Sequence, residues 1–302
     1  MRIAACLGVK DEVELIEKSI AHLRQIGVDL IIAYDVNSTD GTSELIEKYR
    51  SDRDFWILRL NEQTPDEFET WTRAMLALIK SADVDWVIFL DADEFWIPLT
   101  GSLKECAWLS GNDVLSVARF NIPTGADGPL MPRSLIPEHY DELMLYVHRV
   151  ADLRAHLEND PAAVWIQGVD EDKVMARPER IGTIEVGAHN VFSADSIPLR
   201  RAKPTDLLIA HLPFTTRSRF KRKVANIRNM LAAQEASMEG LAWHWRRWID
   251  LADRGELDDE YDRTLLAADR IPDLRKSGKI RSAAELLAEK AEDAHAAPKR
   301  QA

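Results

Sequence analysis

The stretch VDWVIFLDADEF, residues 84–95, decides the reading of this chain. Val84 to Leu90 is a short, nearly uninterrupted apolar run, as a buried strand requires, and it stops abruptly at Asp91-Ala92-Asp93-Glu94. In an extended segment residues i and i+2 point the same way, so Asp91 and Asp93 are expected to face one site at the strand's end. Oxygen ligands so arranged suit Mg²⁺ or Mn²⁺, which can neutralise a diphosphate. Without a cation the two carboxylates would repel each other and one pKa would rise. A solvated strand-to-helix turn can carry the same triplet; the hydrophobic strand before it favours the site.

Upstream the same unit repeats. Arg2 to Val9 is an apolar strand, and Glu12 to Ile26 carries Val13, Ile16, Ile20 and Leu23 at helical spacing before Gly27. Asp29 to Tyr34 is a second strand running into DVNSTDGT (35–42), with Thr42 or Ser43 placed to cap the next helix. Phe55 to Leu60 reads as a third strand. Glu67 to Ala82 reads as a helix with Trp71, Met75, Leu78 and Ile79 on one face. Strands alternating with helices predict an α/β fold with an open, mostly parallel central sheet and helices on both faces. Ligands in such folds bind beyond the carboxyl ends of the strands, where Asp35 and Asp91 fall.

Downstream the pattern loosens. Asp113 to Phe120 reads as a strand, and residues from about 121 to 165 as an irregular insertion shaping a second-substrate pocket. Val164–Val174, Gly182–Asn190 and Leu207–His211 are expected strands, and Arg217 to about Ala233 a helix. The sheet domain is expected over 1–240, with a helical extension over 241–290 broken near Gly255 and Ile271-Pro272, and a disordered tail over 291–302.

Composition sets the outer bounds. The 302 residues are 46% hydrophobic, enough for a substantial core. They carry 39 Lys and Arg against 51 Asp and Glu, a net charge of −12. That balance argues against a nucleic-acid or anionic-membrane surface, though a small phosphate cleft fits within it. Cys6 and Cys106 are the two cysteines, too few for a disulfide framework. The N-terminus lacks a signal-peptide pattern, and no apolar run approaches the roughly 20 residues of a membrane helix. A cytoplasmic chain is expected, with peripheral membrane contact through a partner left open.

Other residues extend the site. Asp35, Asn37, Ser38 and Asp40 supply short acceptors and donors that can read a base or ribose, or simply cap the following helix. His189 and His211 end apolar runs and can offer imidazole nitrogen to a cation. Lys173 and the run Arg217, Arg219, Lys221, Arg222 and Lys223 can meet a leaving diphosphate. Glu94, Asp170, Glu171 and Asp172 are candidate bases for an attacking hydroxyl. Trp96 is the tryptophan best placed to stack on a sugar ring, while Trp243, Trp245 and Trp248 suit the docking of the C-terminal helices. Neither a GxGxxG nor a P-loop run is present.

Taken in order, VKDE, YDVNSTDGT, DWVIFLDADEFW, GVDEDKVMARPE, GAHNVF and LLIAHLPFTTRSRFKRKV resemble the family 2 glycosyltransferases of the bacterial DADEF-type branch, over roughly residues 3–250. The resemblance implies a GT-A fold and an inverting transfer of sugar from a nucleotide-diphospho-sugar, most often a UDP-sugar. The acceptor would be a glycan or lipid-linked glycan. It implies that Val9, Asp11, Glu12, Asp35 and the turn after it contact the nucleotide, that Asp91 addresses ribose and metal, and that Asp93 ligates Mn²⁺ or Mg²⁺. A late histidine completing that shell falls on His189 first and His211 second. Where many relatives have Lys-Asn-Glu, this chain has Lys10-Asp11-Glu12, which removes a donor at position 11. A sugar nucleotidyltransferase and a non-catalytic nucleotide- or glycan-binding protein are the competing readings. The helical extension offers a surface for a homodimer.

Overall fold

The computed structural model describes residues 1–59, 67–148, 150, 152–160, 163–168, 171–233 and 243–296. The opening units form as the apolar periodicity predicts: β1 (Ile3–Val9), α1 (Ile16–Gln25), β2 (Leu30–Asp35), α2 (Thr42–Glu47), β3 (Phe55–Arg59), α3 (Glu67–Ser81) and β4 (Trp86–Asp91). β3, β2, β1 and β4 lie side by side in parallel, with Gly8 opposite both Tyr34 and Asp91. A Cβ at Gly8 would meet the Tyr34 hydroxyl, so a larger residue there has to displace the end of that ring.

Beyond β4 the chain turns a corner. β5 (Glu94–Pro98) leaves the main sheet, β6 (Val114–Val117) rejoins it, and β7 (Arg119–Asn121) leaves it again. The single strand expected over 113–120 is thus two strands in two sheets, parted at Ala118. The strand Lys173–Ala176 fills the gap between β4 and β6 and runs antiparallel to both, so the seven-stranded sheet is mostly parallel, as expected, with this one strand reversed. A second sheet of three strands pairs Leu207–His211 antiparallel to β5 and parallel to β7. Asp91-Ala92-Asp93-Glu94 is the corner between the two sheets, where Ala92 and Asp93 form a turn.

Alternation along β1 divides the core. Ile3, Ala5, Leu7 and Val9 face α1 and α2, and Ala4 and Cys6 face α3. The later helices are α4 (Leu153–Asn159), α5 (Arg217–Ala233), α6 (Trp243–Asp253), α7 (Leu257–Thr264), α8 (Ile271–Lys276) and α9 (Ala283–Ala296). Phe220, Val224, Ile227 and Leu231 of α5 recur at helical spacing and join Trp165, Phe214, Trp248 and Tyr261 in one core. Residues of the 121–165 segment and of the C-terminal helices therefore share a core. Pro272 starts α8 instead of breaking a helix, since proline at the first turn forfeits no hydrogen bond. α9 continues through 291–296, a stretch expected to fray, and 297–302 lie outside the described residues. Trp96 is fully buried, so it packs the core and is closed to a sugar. Both cysteines are buried free thiols.

His22 of α1 is buried, with Nε2 donating to the Trp96 carbonyl at 2.8 Å. Burial pushes its pKa down to about 4, against a smaller upward pull from that carbonyl. The folded protein therefore binds this proton less readily than the unfolded chain. Stability is full above the unfolded value and is lost as pH falls through it toward about 4. Between pH 7 and pH 5 the loss should be about 2 kcal/mol. Urea unfolding of His22→Leu should show a correspondingly shallower decline over that range than the parent.

Candidate active site

The site is assembled where β1, β2 and β4 end. Asp35, at the end of β2, is fully buried and committed: Oδ1 accepts from the Ser38 amide at 3.0 Å, and Oδ2 from Arg59 at 2.7 Å and from the Ser43 hydroxyl. Asp40 accepts from the amides of Val13 and Thr42 and from the Thr42 hydroxyl. The α2 cap is therefore Gly41, at φ 102°, with Asp40 satisfying the first turn in place of a Thr42 or Ser43 cap. Asn37 takes φ 49° and its carbonyl accepts from Lys10 at 2.9 Å. Asp11, at φ 54°, accepts from the Thr39 amide at 2.6 Å and from Asn226 Nδ2 at 2.8 Å, while its own amide donates to Ser38. These side chains brace the loops at the ends of β1 and β2 against each other and against α5. Val9 is a buried strand end among them.

The DAD corner behaves differently from an extended strand. Because the chain turns at Ala92–Asp93, the two carboxylates acquire separate partners instead of sharing one. The Asp91 side chain is 57% exposed and accepts from Lys173 Nζ at 3.0 Å. Asp93 is buried; its Oδ2 accepts from Arg219 Nη2 and Lys223 Nζ, each at 2.9 Å, and its Oδ1 lies 3.6 Å from His211 Nε2. Burial pushes the Asp93 carboxyl up, but Lys223, His211 and Arg219 together outweigh it and hold the group well below the usual carboxylate range. Arg219 is clamped in turn by both oxygens of Glu12, at 2.7 and 2.9 Å. Burial raises the Glu12 pKa, with Arg219 opposing and Asp93 adding to the rise.

Glu94 follows on β5 and is buried. It accepts from Arg119 and from the Asp91 amide at 3.2 Å, and pairs with the Lys173 ammonium across 3.3 Å. Lys173 is buried as well; that burial lowers its pKa, and Asp91 and Glu94 more than offset it. A carboxylate held between two buried cations positions them. Behind Lys173 and Asp91 a cavity of about 180 Å³ opens, lined by Tyr34, Met75, Phe89 and Ile184 among others.

Several expected residues lie elsewhere. His189 is held by the Asp172 carbonyl at 2.9 Å and faces Glu171 at 3.7 Å, so the histidine beside Asp93 is His211. Arg217 pairs with Asp258 and Asp262 of α7. Helical geometry explains the split in the basic run: Arg219 and Lys223, four apart, share the flank of α5 that meets Asp93, while Arg217 and Lys221 share the opposite flank. Glu171 is 78% exposed and Asp172 pairs with Lys203 at 2.7 Å; Asp170 lies outside the described residues. Arg119, Asn121 and Arg59 carry no local signal in the sequence, and Arg219 stands there as one of a basic run.

Among the described residues no group of three or more His, Cys, Asp and Glu side chains is gathered to hold a metal ion. The chemistry at the corner nevertheless fits one. Asp93 Oδ1 and His211 Nε2 face each other at 3.6 Å, a carboxylate and an imidazole suited to Mn²⁺ or Mg²⁺. Such ions commonly take only one or two protein groups and complete their shell with substrate phosphates and water. The local charge balance points the same way. Glu12, Asp91, Asp93 and Glu94 face Arg119, Lys173, Arg219 and Lys223, four against four, so an incoming diphosphate would find its countercharges already engaged.

Residues 6–105 match the profile of glycosyl transferase family 2, which makes this part of the chain glycosyltransferase-like. No curated protein matches the chain. Among solved structures, S. aureus TarS 1-349 in complex with UDP is 22% identical, with 40% of this chain and 36% of that one covered, at a TM-score of 0.31. Glucosyl-3-phosphoglycerate synthase from Mycobacterium tuberculosis, in complex with Mn²⁺, UDP and phosphoglyceric acid, is 17% identical over 62% of this chain and 61% of that one, at 0.33. Less than two thirds of either chain is therefore spanned. Another structure of S. aureus TarS 1-349 is 15% identical over 92% of both chains, at 0.35. At such TM-scores the likeness assigns nothing to individual residues. No helix among the described residues is long and apolar enough to cross a membrane.

Proposed function

We propose that the protein is a glycosyltransferase of the GT-A type that moves a sugar from a nucleotide-diphospho-sugar, with a UDP-sugar favoured, to a hydroxyl of a glycan or lipid-linked glycan. The observation that carries this reading is the Asp93 corner: a buried carboxylate after the central strand, with His211 on one oxygen and Lys223 and Arg219 on the other.

In this reading the nucleoside lies over the ends of β1, β2 and β4, with Asp91 and the cavity behind it on one side and the braced 35–43 turn on the other. Asp93 and His211 would hold Mn²⁺ or Mg²⁺, whose chemistry is to neutralise charge on the diphosphate. Lys223, 29% exposed, is the cation of the cluster that can turn from Asp93 to a phosphate oxygen. Arg219, locked by Glu12, keeps Asp93 in place. The acceptor oxygen forms a bond to the anomeric carbon as the bond from that carbon to the diphosphate breaks, inverting the centre. Charge developing on the leaving group is met where preorganised cations are most effective. The acceptor proton passes to a carboxylate at the site.

The test is nucleotide release from a panel of UDP-, GDP-, CMP- and dTDP-sugars with and without Mn²⁺. Metal-dependent release from one donor class is expected, and silence across the panel together with absent nucleotide binding would remove the reading. Two variants add resolution. Lys223→Ala should lower kcat/KM for the donor about 10- to 100-fold, the scale of a lost charged contact to phosphate. Arg217→Ala, on the other flank of α5, should leave it unchanged.

A further inference from the structure

β7 and the strand Leu207–His211 are parallel neighbours, and their register sets Asn121 opposite His211. Asn121 is buried. Its Nδ2 donates to the carbonyls of Ile166 and Gly168, at 3.1 and 2.8 Å, so both amide hydrogens are used. A flipped amide would set its oxygen against those two carbonyl oxygens. The orientation is therefore determined, and Oδ1 is the atom 2.8 Å from His211 Nδ1. An amide oxygen only accepts, so Nδ1 must carry a hydrogen. In the neutral ring the lone pair then resides on Nε2, the nitrogen directed at Asp93 Oδ1. Trp165 holds the ring from its side, edge to face, at 6.4 Å between centroids and 83° between planes. Trp165 and Ile166 belong to one short turn, Trp165–Gln167, which thus supplies both the wall beside the imidazole and an anchor for the amide behind it.

We infer that Asn121 is a positioning residue: it selects the Nδ1–H form of His211 and so presents Nε2 toward whatever binds at Asp93. Histidines that ligate metals are commonly held in this manner through their second nitrogen. The hydrogen on Nδ1 follows from the Asn121 bond, and the lone pair on Nε2 belongs to the neutral ring; its consequence for a bound cation rests on the proposed donor site.

The full chain labelled with ¹⁵N-histidine tests the first part by long-range ¹H–¹⁵N spectra, at a pH where the ring is neutral. His211 is identified by its absence in His211→Ala. The parent should give the Nδ1–H pattern and Asn121→Ala should shift toward Nε2–H, with Asp93 as the new acceptor. An Nε2–H pattern in the parent would overturn the inference, and that spectrum decides even if the variant does not fold. The second part is read from Mn²⁺ affinity by electron paramagnetic resonance in the presence of UDP. Asn121→Ala should weaken it about 10- to 100-fold and His211→Ala at least as much. Loss in His211→Ala with parental affinity in a folded Asn121→Ala would overturn the positioning role and leave the donor site standing. Parental affinity in both variants would instead overturn His211 as a ligand in the proposed function, with the tautomer still decided by its own spectrum.

Discussion

Replacing Asp93 by asparagine is expected to lower kcat/KM for sugar transfer about a thousandfold, roughly 4 kcal/mol of transition-state stabilisation, while leaving the protein folded. Asparagine keeps the shape of the side chain and removes its charge. In the parent that charge orders Arg219 and Lys223 around one point, and in the proposed mechanism it also holds the cation. Folding should survive because Arg219 keeps its bidentate pair with Glu12 and its bond to the Pro213 carbonyl, and Lys223 can reach solvent. A thermal melt beside the kinetic assay separates the two effects. Since its neighbours hold the Asp93 carboxyl well below the usual carboxylate range, mild acid should not mimic the substitution. Such a carboxylate keeps its charge as pH falls from 7 to 5, so activity lost there must come from another group.

Glu94→Ala should be the most damaging substitution to stability, costing about 3–5 kcal/mol by urea unfolding. Glu94 sits between Arg119 and Lys173, and all three are buried. Truncation leaves two buried cations without the carboxylate between them, and solvent cannot readily replace what is lost. Glu94→Gln, which still accepts hydrogen bonds, should cost less. The pair of variants also separates this positioning role from a catalytic one. A general base would lose activity in the glutamine variant at nearly parental stability, whereas here activity and stability should fall together.

The strand–helix units up to β4 were legible because their apolar spacing is local and regular. So was the end of β4 at Asp91, since an apolar strand stopping at carboxylates is itself a local signal. What the sequence did not disclose is how the corner bends. Extended geometry sets Asp91 and Asp93 on one face; the turn at Ala92–Asp93, made where the chain passes from one sheet to the other, gives them different partners. The antiparallel insertion of Lys173–Ala176 beside β4 is likewise a tertiary event without a local signature. His189 and His211 are equivalent as strand-end histidines, and only the pairing of Leu207–His211 with β5, which puts His211 opposite Glu94, distinguishes them. Arg219 was recoverable: i, i+4 spacing on α5 joins it to Lys223 and separates both from Arg217 and Lys221. Asn121 carries no sequence signal, because its meaning lies wholly in three hydrogen bonds across strands and loops.

In the proposed function a nucleoside diphosphate binds at the Asp93 corner with a divalent cation. Calorimetric titration of UDP into the parent, with Mn²⁺ and then with the metal chelated, and into Asp93→Asn with Mn²⁺, tests it most directly. Saturable binding in the first case, weakened tenfold or more in the other two, is the predicted result. UDP binding indifferent to both the metal and Asp93, or no binding of UDP, GDP, CMP or dTDP under any condition, would contradict it.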